Sequence, residues 1–145
     1  MKRDGKVKGR GCADGRSQWA YTHKDERSSP TAATEYLMIS CVIYAMEWRA
    51  VVTVDILGAF LQADMDKLIY IKSEGLMSDL LSKIDPKFYE KYVVIERRQT
   101  VLYASLAHLM YGTLRASLLF WRKLTGILVD NGYNINPYEW CVANK

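Results

Sequence analysis

Leu37, Cys41, Tyr44 and Trp48 recur at steps of four, three and four, the period that lines side chains along one stripe of a helix. This predicts a helix over residues 31–47. SSPT at 28–31 introduces it: Ser29 is placed to cap and Pro30 fits the first turn. Cys41, among Ile39, Val42 and Ile43, reads as core, as do Trp48 and Trp121. Residues 50–56, AVVTVDI, are β-branched and nearly all apolar, which predicts a central strand buried on both faces. Gly58 breaks it. Residues 67–74, KLIYIKSE, predict a second strand, joined to the first by a hairpin through 62–66.

MSDLLSKI and PKFYEKYVV read as two short helical pieces, the second restarted by Asp85-Pro86. VLYASL at 101–106 reads as a strand and Tyr111-Gly112 as a turn. Leu114, Leu118, Trp121, Thr125 and Leu128 restore the helical period, with Arg122 and Lys123 on the polar side, until Gly132 ends it. After an NPY turn, WCVA at 140–143 reads as a strand. Residues 1–29 read as loops with one short strand around 6–11. The order predicts an α/β chain of the α+β kind, with a mixed, mainly antiparallel sheet and helices packed on one face.

Charge divides the chain of 145 residues unevenly. Residues 1–29 hold eight Lys or Arg against four Asp or Glu, and the remainder holds twelve of each. The whole excess of +4 thus sits in the first 29 residues. A basic arm on a neutral body suits a polyanion such as nucleic acid, or is simply a solvated terminus. Three widely spaced cysteines, Cys12, Cys41 and Cys141, argue against a disulfide framework or a zinc site and for a reducing compartment. His23 and His108 have no partner at ligand spacing. No apolar run reaches the roughly 18 residues of a membrane span, and MKRDGKVKGR lacks the apolar stretch of a secretory signal.

One residue does not fit a plain core strand. Asp55 puts a lone carboxylate at the end of an apolar run, with Gly58 and Phe60 close behind. An uncompensated charge at a buried strand end is costly. A metal ion, or solvent in an open cleft, resolves that cost. Asp64 and Asp66 read as a solvated hairpin tip.

Five blocks carry a family likeness. KVKGRG at 6–11, SSPTAATE at 28–35, VDILGAFLQADM at 54–65, LMYGTLRASLLFWRKL at 109–124 and NPYEWCVANK at 136–145 stand in this order. Together they resemble the reverse transcriptase domain of copia-type LTR retrotransposons. The resemblance implies an RNA-directed DNA polymerase working by two-metal nucleotidyl transfer. It divides the chain into a basic fingers-like segment, 1–29, and a partial palm, 30–145, that ends before the family's motif C hairpin. It implies that this stretch alone does not polymerise, and that its unpaired edge at 140–143 leaves it prone to aggregate.

The same resemblance assigns roles. Asp55 is the motif A metal ligand, joined by the backbone carbonyl of Ile56. The ions are Mg2+, two in the complete enzyme, with Mn2+ as a substitute. Gly58 and Ala59 let backbone approach the triphosphate, and Phe60 excludes a 2′-hydroxyl. Arg115 stands where the family most often has glutamine, in a segment touching nucleotide and template. Lys6, Lys8 and Arg10 grip triphosphate or nucleic acid. The implied partners are an RNA or DNA template with its primer, deoxynucleoside triphosphates and the rest of a retrotransposon polyprotein, in a cytoplasmic particle and with no membrane. Arg115, Ala116-Ser117-Leu118, and the uncharged Ser105 and Ala107 beside His108 depart from the family pattern. They suit a second expectation, a degenerate non-catalytic remnant that at most binds nucleic acid.

Overall fold

A computed structural model describes residues 9–145. The chain is a mixture of helices and antiparallel strands divided between two compact units. One comprises residues 64–108. Among the described residues, the other comprises 9–63 together with 109–145.

The 64–108 unit is built on a three-stranded sheet. β1 (Tyr70–Glu74) leads through Gly75 into α2 (Leu76–Ile84), which α1 (Thr34–Met46) of the other unit precedes in the chain. α3 (Pro86–Tyr89) and a 3-10 turn follow, then β2 (Val93–Glu96) and β3 (Gln99–Ser105). The spatial order is β1-β3-β2, with both pairings antiparallel: Lys72 lies opposite Tyr103, and Val94 opposite Val101. Asp85-Pro86 does restart the helix as expected. The Asp85 carboxylate accepts from Phe88 N–H at 3.1 Å, and Pro86 takes the first turn, where no N–H is needed. Arg97 and Arg98 both have positive φ, which makes the tight two-residue link between β2 and β3. Adjacent residues Val101 and Leu102 are both buried, so the central strand is covered on both faces there. α2 packs on β1 and β3 and buries Ser78. The unit closes at its base. Leu106 N–H donates to Ile69 O (2.9 Å), Met65 N–H to Ala107 O (2.9 Å), and Asp64 bridges His108.

The other unit contains α1 (Thr34–Met46), α4 (Ala116–Asp130) and a small ribbon of β4 (Asn134–Ile135) with β5 (Ala143–Asn144). Short 3-10 turns run over Gly15–Ala20, Lys24–Glu26 and Ala59–Gln62. α4 packs on the 59–62 turn and on β4. Ala63, Leu109, Ala116 and Leu118 form the buried core. Gly132 ends α4 as its sequence predicts: φ is 82°, its N–H reaches Val129 O (2.9 Å), and Tyr133 N–H reaches Leu128 O (3.0 Å).

The first part of this unit is held to the turn before α4 by a close crossing of backbones. Ala13 N–H donates to Tyr111 O at 2.7 Å, and Leu114 N–H donates to the Gln18 side chain at 2.8 Å. A Cβ on Gly15 would lie 2.3 Å from Gly112 O, and one on Gly112 would lie 1.9 Å from Ala13 O. Gly112 also has φ +89°. Only glycine fits at either position. Beside the crossing, the Asp14 carboxylate accepts from Arg16 N–H (3.1 Å) and pairs with the Arg16 guanidinium.

Several sequence expectations are corrected. Residues 50–56 form no strand; Val51, Val52 and Val54 are exposed, and no other strand pairs with them among the described residues. β propensity alone does not make a strand without a ladder partner. The hairpin through 62–66 is absent for the same reason, because β1 pairs with β3 instead. Ser29 and Pro30 do not start α1; Ala33 is its N-cap and Thr34 its first residue. The Glu139 carboxylate reaches Ala33 N–H at 3.3 Å and takes over part of the capping role. Cys41 is exposed, and Trp48, 93% exposed, sits past the helix end with positive φ. Trp121 is half-buried and stacked on Trp140 rather than enclosed. Strand structure falls at 143–144, not 140–143, and it is paired with β4, so the expected bare edge there is not found. Residues 9–29 are irregular, as expected, apart from the 3-10 turns at Gly15–Ala20 and Lys24–Glu26; the strand expected around 6–11 lies largely outside the described residues, and 9–11 form none. Of the helices, α2 lies on the three-stranded sheet, whereas α1 and α4 belong to the other unit.

Two outcomes follow for the crossing. Gly15→Ala and Gly112→Ala each cost about 3 kcal/mol or more in denaturant unfolding, because the added carbon meets backbone that cannot move aside. Gly9→Ala, with nothing within 4 Å, is neutral. The hydrogen bonds from Arg16 hold the Asp14 carboxyl down at about 2, below its ordinary 3.8. A lowered carboxylate helps the fold above its ordinary value and loses that help as pH falls through the lowered one. The Arg16 amide signal therefore keeps its capped shift above pH 3.8 and moves as pH approaches about 2.

Candidate functional site

Asp55 lies in the irregular stretch between α1 and the 59–62 turn. It is exposed, and it takes part in none of the ion pairs seen among the described residues. Its neighbours Val54 and Ile56 are 77% and 39% exposed, so the carboxylate stands in an open, apolar setting. Gly58 follows at φ +60°, a left-handed conformation that turns the chain into the Ala59–Gln62 turn. The Gln62 side chain locks that turn by donating to Leu57 O at 2.9 Å, and Lys123 Nζ donates to Gln62 O from α4.

The turn aims Phe60 inward. Its ring lies 4.7 Å from that of Tyr111, tilted at 45°, and 5.9 Å from that of Phe120, edge to face. Ala59 is half-buried beside it. Phe60 thus packs the 59–62 turn against α4 and the turn before it. The Gly58 backbone is open: a Cβ there would meet only Leu61, at 3.9 Å.

Arg115 is the N-cap of α4 and is 4% exposed. Its guanidinium donates to Glu26 Oε1 at 3.1 Å. A buried arginine needs such a partner, since an unpaired charge there is strongly destabilising. The expectation of a solvent-facing or nucleotide-facing Arg115 therefore meets a side chain committed to its own fold. Arg10 is exposed in irregular chain; Lys6 and Lys8 lie outside the described residues.

Among the described residues no three His, Cys, Asp or Glu side chains gather as a metal-binding group. Asp55 with the Ile56 carbonyl offers one hard carboxylate and one hard carbonyl. Magnesium is often held by one or two carboxylates with substrate phosphates, so this set fits a substrate-borne ion and not a self-sufficient cage. In the 64–108 unit, His108 Nδ1 lies 2.9 Å from Asp64 Oδ1, both exposed. That replaces the free hairpin tip expected for Asp64.

Sequence reasoning missed Glu26, Gln18 and Glu139. Glu139 is buried, and its carboxylate accepts from Ala33 and Cys141 N–H, each at 3.3 Å. Burial first, and the Glu139 charge second, push the Cys141 thiol above its ordinary value. No local motif marks these residues, because each has a partner far away in sequence: the Arg115 guanidinium for Glu26, Leu114 N–H for Gln18 and Ala33 N–H for Glu139.

Comparison with models of protein families, with curated proteins and with solved structures returned no match. No helix among the described residues is long and apolar enough to cross a membrane.

Glu26→Ala leaves the Arg115 charge buried and costs about 3 kcal/mol of stability. Phe60→Ala costs about 2 kcal/mol through lost ring contacts. Both are read from denaturant midpoints at constant m-value.

Proposed function

We propose that the chain is the fingers-and-palm part of an RNA-directed DNA polymerase of the copia retrotransposon type. The order of five sequence blocks carries the reading. Two structural facts are compatible with it: the Asp55 carboxylate faces solvent, and the chain is of mixed helix and antiparallel strand. In this reading the palm is the scaffold for motif A. Asp55 and the Ile56 carbonyl meet a divalent ion carried by a deoxynucleoside triphosphate. Such ions stabilise the attacking and leaving oxygens of an in-line displacement at phosphorus. Gly58, bare on its outer side, leaves room for phosphate against backbone. Phe60 supports the turn from beneath. Lys6, Lys8 and Arg10 add sequence-independent phosphate contacts.

A second reading, a remnant without chemistry that at most binds nucleic acid, is favoured by one observation. Arg115, in the motif B block, is buried against Glu26 and so is engaged elsewhere than on a nucleotide.

The two separate in one titration. A deoxynucleoside triphosphate with Mn2+ is added, and manganese-induced relaxation of backbone amide signals is followed. The polymerase reading expects broadening centred on residues 55–58, lost in Asp55→Asn and unchanged in Asp79→Asn. Absence of broadening near Asp55 leaves the remnant reading. Binding of a single-stranded oligonucleotide should fall with salt, and replacing Lys6, Lys8 and Arg10 by alanine should lower the log–log slope by roughly 2.

A further inference from the structure

Residues 19–25 form a loop pinned at both ends to the start of α4. Just before it, the Gln18 side chain accepts from Leu114 N–H at 2.8 Å; just after it, the Glu26 carboxylate accepts from the Arg115 guanidinium at 3.1 Å. Arg27 closes the loop. Its Nε donates to Thr22 O and its Nη2 to Trp19 O, each at 2.8 Å, and its guanidinium lies over the Trp19 ring, 4.4 Å from the centroid. A cavity of about 310 Å³ opens here, walled by residues 19–24 and Arg27.

The fold sorts the charges around this cavity. Along the chain, Lys24 and Arg27 are cancelled by Asp25 and Glu26. In the structure His23, Lys24 and Arg27 line the cavity and neither acid does. Glu26 is taken up by Arg115, and Asp25 stands exposed outside the walls. Among the described residues the Lys24 side chain has no partner, and Nη1 of Arg27 has no acceptor. A free ammonium beside a guanidinium already fixed by two carbonyls and a ring suits a phosphate group. Little further ordering is needed to bind it.

The rings say which phosphate. Tyr21 is 86% exposed and Trp19 55%, and both wall the cavity. Open aromatic faces beside cations are platforms for unpaired bases; in a duplex the bases are already stacked on one another. The volume lies at the low end for ligand pockets, which suits one nucleotide at a time.

We propose that this loop is a binding site for single-stranded nucleic acid, with one phosphate held by Lys24 and Arg27 and one base stacked on Tyr21. It rests on the nucleic-acid contact that both readings above share, and assigns that contact to residues other than Asp55, Lys6, Lys8 and Arg10.

The test uses the full chain. A single-stranded oligonucleotide, the same sequence as a duplex, a nucleoside monophosphate and inorganic phosphate are each titrated in, and assigned indole and amide signals are followed. The Trp19 indole and the Lys24 amide should move with the single strand and, more weakly, with the monophosphate, while the Trp140 indole stays still. Tyr21→Ala should weaken oligonucleotide binding about fivefold or more, and Tyr21→Phe should leave it unchanged. Lys24→Ala should lower the log–log salt slope by roughly 0.7. Neither variant should alter the manganese broadening at residues 55–58, so the polymerase reading is judged separately. Oligonucleotide binding that leaves the Trp19 and Lys24 signals still would overturn this proposal and leave the basic arm as the contact. No binding of any nucleic acid ends both. A duplex bound as tightly as the single strand, or inorganic phosphate bound as tightly as the monophosphate, would also overturn it.

Discussion

The larger unit depends on two glycines that let one backbone lie against another. At Gly15 and Gly112 the chains pass so closely that no side chain fits between them. The hydrogen bond from Ala13 to Tyr111 forms at that point. Two ties from residues 9–27 to the start of α4 stand beside it: the Gln18 side chain on Leu114 N–H, and the Glu26 carboxylate on the buried Arg115 guanidinium. Because Arg115 is the N-cap of α4, the same fastening fixes where the longest helix begins. Tyr111, one residue before the crossing, then supplies the ring on which Phe60 rests.

This arrangement bears on the candidate site. The stretch after Asp55 is held through Phe60, Gln62 and Lys123, while Asp55 itself lies in chain that joins no strand ladder among the described residues. Backbone groups there look to solvent, which places the segment at the low-stability end of the fold. A carboxylate so placed is accessible but not rigidly aimed. Nucleotide binding in the proposed reading would then include an ordering cost that a paired strand would have spared.

Local signals in the sequence translated well wherever local physics decides. Asp85-Pro86, Gly132, the period from Leu114 to Leu128 and the run at 101–106 each encode structure through neighbours a few residues away. The failures share a different cause. AVVTVDI has strand character, but a strand also needs a partner, and composition does not say who pairs. Ser29-Pro30 looks like a helix start, but α1 begins at Thr34, where Ala33 N–H meets the carboxylate of Glu139, over a hundred positions on. Near Asp55, the break at Gly58 was legible, since glycine after an apolar run stops it, but the exposure of Asp55 in unpaired chain was not, because the run reads as a buried strand. The commitment of Arg115 to Glu26 was not, since nothing in a one-dimensional pattern announces a partner 89 residues away.

The chain leaves the larger unit at Ala63 and re-enters it at Leu109, and those two residues are themselves joined by an N–H···O bond of 2.8 Å. The 64–108 unit is thus a plug-in, its two ends emerging side by side and clasped by Asp64 and His108. Such geometry tolerates exchange: the insert can lengthen, shorten or be swapped for another piece without the host having to redraw its own backbone path.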